Sequence, residues 1–313
     1  SLMKIESESE ILNKLENLLI KSISSQTISD VKLGTFLSGG IDSSLITAIL
    51  NSISNEKLSA LTISFPNSSI EESGFDESLY AKKIANHLSL EHLNIELSQE
   101  EAISNIKKLP TIYSEPFADS SQLPTTFLCQ EAKNMGLSVA LSGDGGDELF
   151  GGYNRHKFVP KIHKIFSKNP HIINILFSKA IKFVNPNILG LNADPLAKDK
   201  MNKFSNAIAN SNNIQFLYSS ILSSDPDPAL FFKIPNANTM EEELMAADIL
   251  TYLPSDILVK VDRAAMSASL ETRAPFLDYE LSQFALQLPL KFKIKNENGI
   301  TYTKWCLRKI LEK

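Results

Sequence analysis

The feature that most constrains this chain is an alternation. Between Leu33 and Ser142 short apolar runs exchange with helix-patterned stretches. Leu33–Leu37 reads as a strand. Asp42–Leu50 follows as a helix with Leu45, Ile46, Ile49 and Leu50 on one face, and Leu58–Phe65 reads as the next strand. Tyr80, Ile84 and Leu88 mark a helix at i, i+4 spacing, and His92–Leu97 is a third strand. Gln122–Met135 is a helix, and Leu137–Ser142 a fourth strand. Such alternation predicts an α/β fold, a parallel sheet flanked by helices on both faces, because each parallel connection needs a crossover. Ligands of such sheets bind beyond the carboxyl ends of the strands. The loops after Leu37 and Leu141 both fall there.

From Phe158 to Met240 the texture changes. Seven prolines, from Pro160 to Pro235, interrupt short helical patterns, and irregular helical material packed on the sheet is expected. Within it, Lys161–Phe183 mixes Lys and His with Ile and Phe. One reading is a helix lying on a membrane surface. The reading adopted is an ordinary amphipathic pair, broken at Pro170, with its apolar face in a core. Glu241–Lys313 reads as helical again.

The first chemical motif is Ser38-Gly39-Gly40-Ile41-Asp42-Ser43-Ser44, between strand and helix. Two glycines allow a sharp turn and a close approach to a ligand. Successive N–H groups, the serine hydroxyls and the helix dipole then suit anionic oxygens. No Gly-Lys-Ser ending makes it a Walker A loop. Asp42 would repel phosphate unless a cation sits between them. Capping explains one such residue, but hardly the whole run.

The second is Ser142-Gly143-Asp144-Gly145-Gly146-Asp147-Glu148-Leu149-Phe150-Gly151-Gly152-Tyr153, with three acids and five glycines directly after a strand. Clustered carboxylates beside a phosphate loop suit a hard divalent metal that bridges carboxylate to phosphate. A third stretch, Asp256 to Asp278, reads as a helix with Leu258, Val261 and Ala265 inward, ended before Pro275. Its charges, Asp262, Arg263, Glu271 and Arg273, are individually no more than surface ion pairs. The fourth, Thr303-Lys304-Trp305-Cys306-Leu307-Arg308, falls on the last helix.

Ser-Gly-Gly-x-Asp-Ser resembles the PP-loop of ATP pyrophosphatases, which include asparagine, GMP, NAD and argininosuccinate synthetases. The second motif, the string Asp262-Arg263-x-x-Met266 with Glu271-Thr272-Arg273-Ala274-Pro275-Phe276-Leu277-Asp278, and the Lys304-x-x-Leu307-Arg308 ending all resemble asparagine synthetases. The resemblance runs from about Ile11 to Leu311. It implies an adenine nucleotide alpha hydrolase-like (PP-loop ATPase) core at about 1–157 and a mainly helical part at about 158–313. ATP is expected at Leu37, Ser38, Gly39, Gly40, Asp42, Ser43, Ser44, Ile63, Ser142 and Gly143, with adenine near Leu37 and Ile63. Mg²⁺ is expected on Asp42 and Asp147. Asp144 faces the acceptor region; the family has glutamate there in some members. Glu271 is expected in the acceptor pocket, and Lys304 on the pyrophosphate. Ile63 also reads as a plain core residue.

The implied activity joins ammonia to the aspartate side chain through an acyl-adenylate. A related amidotransferase or β-lactam-synthetase-like enzyme with another carboxylate, and a non-catalytic nucleotide-binding module, are the rivals. Members of the family carry an N-terminal glutaminase domain with a terminal cysteine nucleophile. The opening here, Ser1-Leu2-Met3 and then Ile11, Leu15, Leu18 and Leu19, reads as a linker running into a helix. A homodimer fits as well. A net charge of -5 points away from nucleic acid, and no run of about 18 apolar residues calls for a membrane span. Cys129 and Cys306 show no metal or disulfide pattern, so reduced, buried thiols in a cytoplasmic protein are expected; the five histidines are read as structural.

Overall fold

The computed structural model describes residues 7–65, 77–182, 184, 197–222 and 237–313. Its centre is a sheet of five strands: β1 (Leu33–Phe36), β2 (Ser59–Ser64), β3 (Glu91–Glu96), β4 (Val139–Leu141) and β5 (Glu271–Arg273). They lie in the order β3-β2-β1-β4-β5, and every pairing is parallel. The four strands expected from the sequence form within a residue or two of their expected bounds.

Successive strand residues face opposite helical layers. Ala60 and Leu141 join the core under helices Glu8–Gln26, Ile41–Ile53, Tyr279–Gln287 and Trp305–Leu311. Their neighbours Leu61 and Ala140 join the core on the other face, with Phe127, Cys129, Ala264 and Ala265. The inner strands β1, β2 and β4 are largely buried on both faces and read as mainly apolar runs, whereas the edge strand β3 is half exposed. Both cysteines are free and buried.

The first helix, Glu8–Gln26, starts from a capping box at Ser7 and Glu10 and buries Ile11, Leu15, Leu19 and Ile23. A third core holds the helical part together. Helices Arg155–Phe166, Ile214–Leu222 and Met240–Ala247 meet there around Val159, Ile162, Leu217, Tyr218 and Leu244.

The last segment departs from the all-helical expectation. The helix Leu258–Ser267 stops at Ser267; Ser269 takes a positive φ of 55°, and the chain enters β5 beside β4. The buried face of that helix is Lys260, Ala264 and Ala265, while Leu258 and Val261 are only partly buried. A π-helical stretch, Asp248–Ile257, precedes it and accommodates Pro254, which has no N–H to give to a regular turn.

The strand order reverses at β1. The chain steps outward to β2 and β3, then returns to place β4 on the other side. A crevice opens at such a switch point, outside the carboxyl ends of β1 and β4. Both glycine-rich loops start there.

Candidate active site

The loop after β1 is built to leave backbone N–H groups available. Gly40 is the N-cap of the helix Ile41–Ile53 and supplies no side-chain cap. Ser43 Oγ instead accepts from Ser38 N at 3.2 Å and lies 3.0 Å from Ser38 Oγ, and Ser44 Oγ donates to Gly40 O at 2.5 Å. These bonds fix the turn and leave the first helical amides facing the crevice. Gly39 has φ 86°, and a Cβ there would meet Ala81 N at 2.8 Å. Asp42 is therefore no cap; it is a buried carboxylate, 8% exposed, at the second residue of the helix.

The loop after β4 packs directly on Asp42. A Cβ on Gly146 would stand 2.5 Å from Asp42 Cγ, and one on Gly143 would stand 3.0 Å from Asp42 Cβ. Only glycine at both positions lets the two loops touch. Ser142 N donates to Arg273 O at 2.9 Å, which ties the loop to the end of β5. Ser142 Oγ donates to Asp144 Oδ2 at 2.7 Å. Burial pushes the Asp144 carboxyl above the usual range.

Lys304 closes the constellation from the start of the last helix. It holds a left-handed φ of 52°, and its side chain is 10% exposed. Its Nζ reaches Asp42 Oδ2 at 2.5 Å and Asp147 Oδ1 at 2.6 Å. Burial works against the ammonium, but the two carboxylates outweigh it and raise Lys304 above the ordinary lysine value. Burial pushes Asp42 up to about 6, with Lys304 opposing and Asp147 reinforcing the rise. Asp42 Oδ1 is buried without a hydrogen-bond partner. Two carboxylates on one cation, with one oxygen unpaired, are a donor set for a hard divalent ion that takes its other ligands from phosphate and water. Among the described residues no group of three or more His, Cys, Asp and Glu gathers as a complete metal cage.

These groups line one cavity of about 570 Å³. Leu37, Ser38, Gly40, Asp42, Ser43, Ile63, Ser142, Gly143, Asp144, Asp147 and Lys304 are all on its wall. Gly39 and Ser44 shape the loop from behind it. The apolar side comprises Phe36, Leu37, Leu61, Ile63 and Phe65, at and beyond the ends of β1 and β2.

Glu271 is the exception. It opens β5, so it lies at the amino edge of the sheet, opposite the crevice. It is largely exposed, and its carboxylate accepts from Arg273 Nε at 2.7 Å. The acceptor-pocket position expected for it came from the family resemblance; in this structure β5 carries its last residue, Arg273, towards the ligand edge, and Glu271 is not on the cavity wall.

Sequence reasoning passed over Lys260. It is buried, lines the cavity, and donates to Asp119 Oδ2 at 2.7 Å and Ser121 Oγ at 2.8 Å. Burial alone would raise the Asp119 pKa, but these bonds hold it below the usual carboxylate range. The available signal was a lysine on the buried face of an apolar helix, directly beside Val261.

A buried polar hub lies behind the second loop. Asp248, fully buried, accepts from Arg155 Nε at 2.9 Å, pairs with His156 Nε2 at 2.6 Å, and accepts from Tyr218 Oη. Arg155 stacks 3.7 Å from the Tyr153 ring centroid, and Tyr153 Oη donates to Glu148 Oε1 at 2.6 Å. Glu148 adjoins Asp147. The hub therefore fastens the helical part to the site.

The family described as asparagine synthase matches residues 14–313. Asparagine synthetase (glutamine-hydrolyzing) 1 of Bacillus subtilis (strain 168) is 31% identical over 97% of this chain and 47% of that protein. A putative asparagine synthetase (glutamine-hydrolyzing) of Mycobacterium tuberculosis (strain H37Rv) is 30% identical over 96% of this chain and 45% of its own length. Among solved structures, the NH3-dependent NAD synthetase from Campylobacter jejuni aligns with a TM-score of 0.32 at 16% identity, covering 66% of this chain and 97% of that one. The chain spans about half the length of the curated relatives it matches. With a match over nearly its whole length, the chain belongs to the asparagine synthase family.

Proposed function

We infer that this chain is an AMP-forming ligase unit that activates the side-chain carboxylate of aspartate with ATP and passes the acyl group to ammonia, giving asparagine. The observation that carries this is the meeting of two glycine-rich loops and Lys304 on one cavity at the sheet's switch point. The apolar end of the cavity, Leu37 to Phe65, suits an adenine ring. The free amides at the start of the helix Ile41–Ile53 suit phosphate oxygens.

Asp42 and Asp147 would hold Mg²⁺, which when bound supplies charge neutralisation at the phosphates. Lys304, no longer needed to neutralise the two carboxylates, would turn to the phosphates. In the first step a carboxylate oxygen attacks the α-phosphorus, the bond to the β-phosphate oxygen breaks, and pyrophosphate leaves. Lys304 and the loop amides stabilise the charge that grows on it. In the second step ammonia adds to the acyl carbon, AMP leaves with the bonding pair, and a proton is released. Asp144 and Lys260, on the rest of the wall, are placed to orient the acceptor. The whole cycle depends chiefly on positioning and electrostatics. In the longer relatives named as glutamine-hydrolyzing, the ammonia has a source in glutamine; the same source is proposed for the protein that contains this chain.

The test supplies aspartate, ATP, Mg²⁺ and ammonium to the chain and measures AMP, pyrophosphate and asparagine together. Equal yields of all three are expected. AMP with a different carboxylate, and none with aspartate, moves the chain to a related synthetase. ATP binding without AMP from any carboxylate leaves a nucleotide-binding module.

A further inference from the structure

The helix 171–182 is built inside out. Its most buried side chains are polar: Asn174 and Ser178 are buried, and so are Ser205 and Ser211 across the seam, while Ile181 packs partly buried on the third core. Asn174 Nδ2 donates to Phe166 O at 2.9 Å and Ser211 Oγ at 3.0 Å, and Ser178 Oγ lies 2.9 Å from Ser205 Oγ. Its outward side is apolar: Ile172 is 62% exposed, Leu176 60% and Phe177 51%. Ile165, on the preceding helix, is 64% exposed, and the Phe166 and Phe177 rings meet edge to face at 6.3 Å, so the two helices share one surface. The sequence reading gave the pair's apolar face a core: Ile162, Phe166 and Ile181 reach one, whereas Ile165, Ile172, Leu176 and Phe177 are exposed.

The segment that carries the patch has charge of one sign. No Asp or Glu occurs from Leu149 to Ala193, in a chain whose net charge is -5. Lys161, Lys164, Lys168, Lys179 and Lys182 are all exposed around it. On the next helix, Ala197–Ala209, Lys198 and Lys203 are exposed as well. A water-facing helix normally hides its aliphatic side chains and shows its polar ones. Small polar residues in the seam with aliphatic ones outside is the arrangement used where the outer medium is itself apolar.

We propose that this helix pair docks the protein on an anionic lipid bilayer. Ile165, Ile172, Leu176 and Phe177 enter the boundary of the acyl chains, and the lysines lie at the headgroups. No described helix is long and apolar enough to cross a membrane, so the contact is peripheral. A second copy of the chain fits less well, since two-fold pairing of this face would bring one set of lysines against another.

Vesicle flotation tests it. The chain is expected to float with mixed phosphatidylglycerol–phosphatidylcholine vesicles, to stay down with phosphatidylcholine alone, and to lose binding as salt is raised. The variant I172S/L176S/F177S changes only exposed side chains. It is expected to bind at least about tenfold more weakly while its ATP affinity and thermal midpoint stay unchanged. A second probe is L176W, whose emission should shift to the blue on the anionic vesicles only. Absence of flotation overturns the proposal, and so does undiminished flotation of the triple variant. Concentration-dependent self-association in sedimentation, abolished by the same three changes, also overturns it and assigns the face to a second copy.

Discussion

Lys304 and Asp42 stand 262 positions apart in the chain and meet at 2.5 Å, with Asp147 Oδ1 2.6 Å from the same ammonium. The contact joins the last helix to the first loop after β1 and the loop after β4. The ammonium neutralises two carboxylates that would otherwise repel. In the proposed cycle a divalent ion on the carboxylates would free it for phosphate.

Asp42→Asn and Asp147→Asn should each lower AMP formation by about a hundredfold or more, the scale of groups that act on charge developing at the transition state. The fold should survive, since an amide keeps the shape and can still accept from Lys304. Pyrophosphate release and circular dichroism, measured on the same samples, check it. AMP release near the parent rate with an intact spectrum would remove both residues from the metal assignment.

Lys304→Met keeps the length of the side chain and removes its charge. It should slow the adenylation step far more than it weakens ATP binding, because the pyrophosphate gains charge only as it leaves. Acid-quenched single turnovers give the rate constant, and equilibrium dialysis gives Kd. A large rise in Kd with an unchanged rate constant would make Lys304 a clamp on bound ATP.

Gly146→Ala puts a methyl group where the Asp42 carboxylate lies, 2.5 Å from Cγ and 2.7 Å from Oδ2. The carboxylate must move. A displacement of about an ångström at a reacting centre costs on the order of a hundredfold in rate. AMP formation should fall by that scale, whereas Gly136→Ala, with nothing within 4 Å but a φ of 85°, should cost stability only. Paired activity and melting measurements separate the two effects.

The strands and both glycine-rich loops were legible because they are local: apolar runs, a turn that needs glycine, and a helix start, all within a dozen residues. β5 was not. Glu271-Thr272-Arg273 carries no apolar period, and only its pairing with β4 makes it a strand. Glu271 was expected at the pocket from the family resemblance, and its place at the amino edge follows from how that three-residue strand pairs with β4. Lys260 escaped because a lysine in a helix is read as solvated unless its partner is known, and Asp119 lies 141 positions away. The helix 171–182 has clear amphipathicity, but periodicity cannot say which face turns inward. The buried serines and asparagine decide that, through bonds to residues 27 to 38 positions distant.

Asp248→Asn should destabilise the protein by on the order of 3 kcal/mol, the scale for breaking a buried pair from one side. Arg155 and His156 would lose the charge that satisfies them, and Arg155 Nη2 and His156 Nδ1 already lack partners. Urea unfolding should show the loss, together with weaker AMP formation as the second loop loosens. A change below about 1 kcal/mol would show that the hub is dispensable.

Lys293→Met should stabilise the protein, and the gain should depend on pH. Lys293 is 3% exposed, and burial pushes its ammonium down from 10.5 to about 8, with Cys306 and Glu242 only partly opposing. A base whose folded pKa is depressed contributes its full stability above the unfolded value of 10.5 and loses it as pH falls from there to about 8. Below that the loss is constant. At pH 7 the parent therefore carries the whole desolvation penalty, on the order of 3 kcal/mol for a shift of this size. Methionine fills nearly the same volume and has no charge to desolvate. Melting temperatures of the two proteins should be furthest apart at pH 7 and draw together as pH rises through 8 towards 10.5. A Lys293→Met variant that melts lower than the parent at pH 7 would mean that the ammonium has a partner whose bond outweighs its burial.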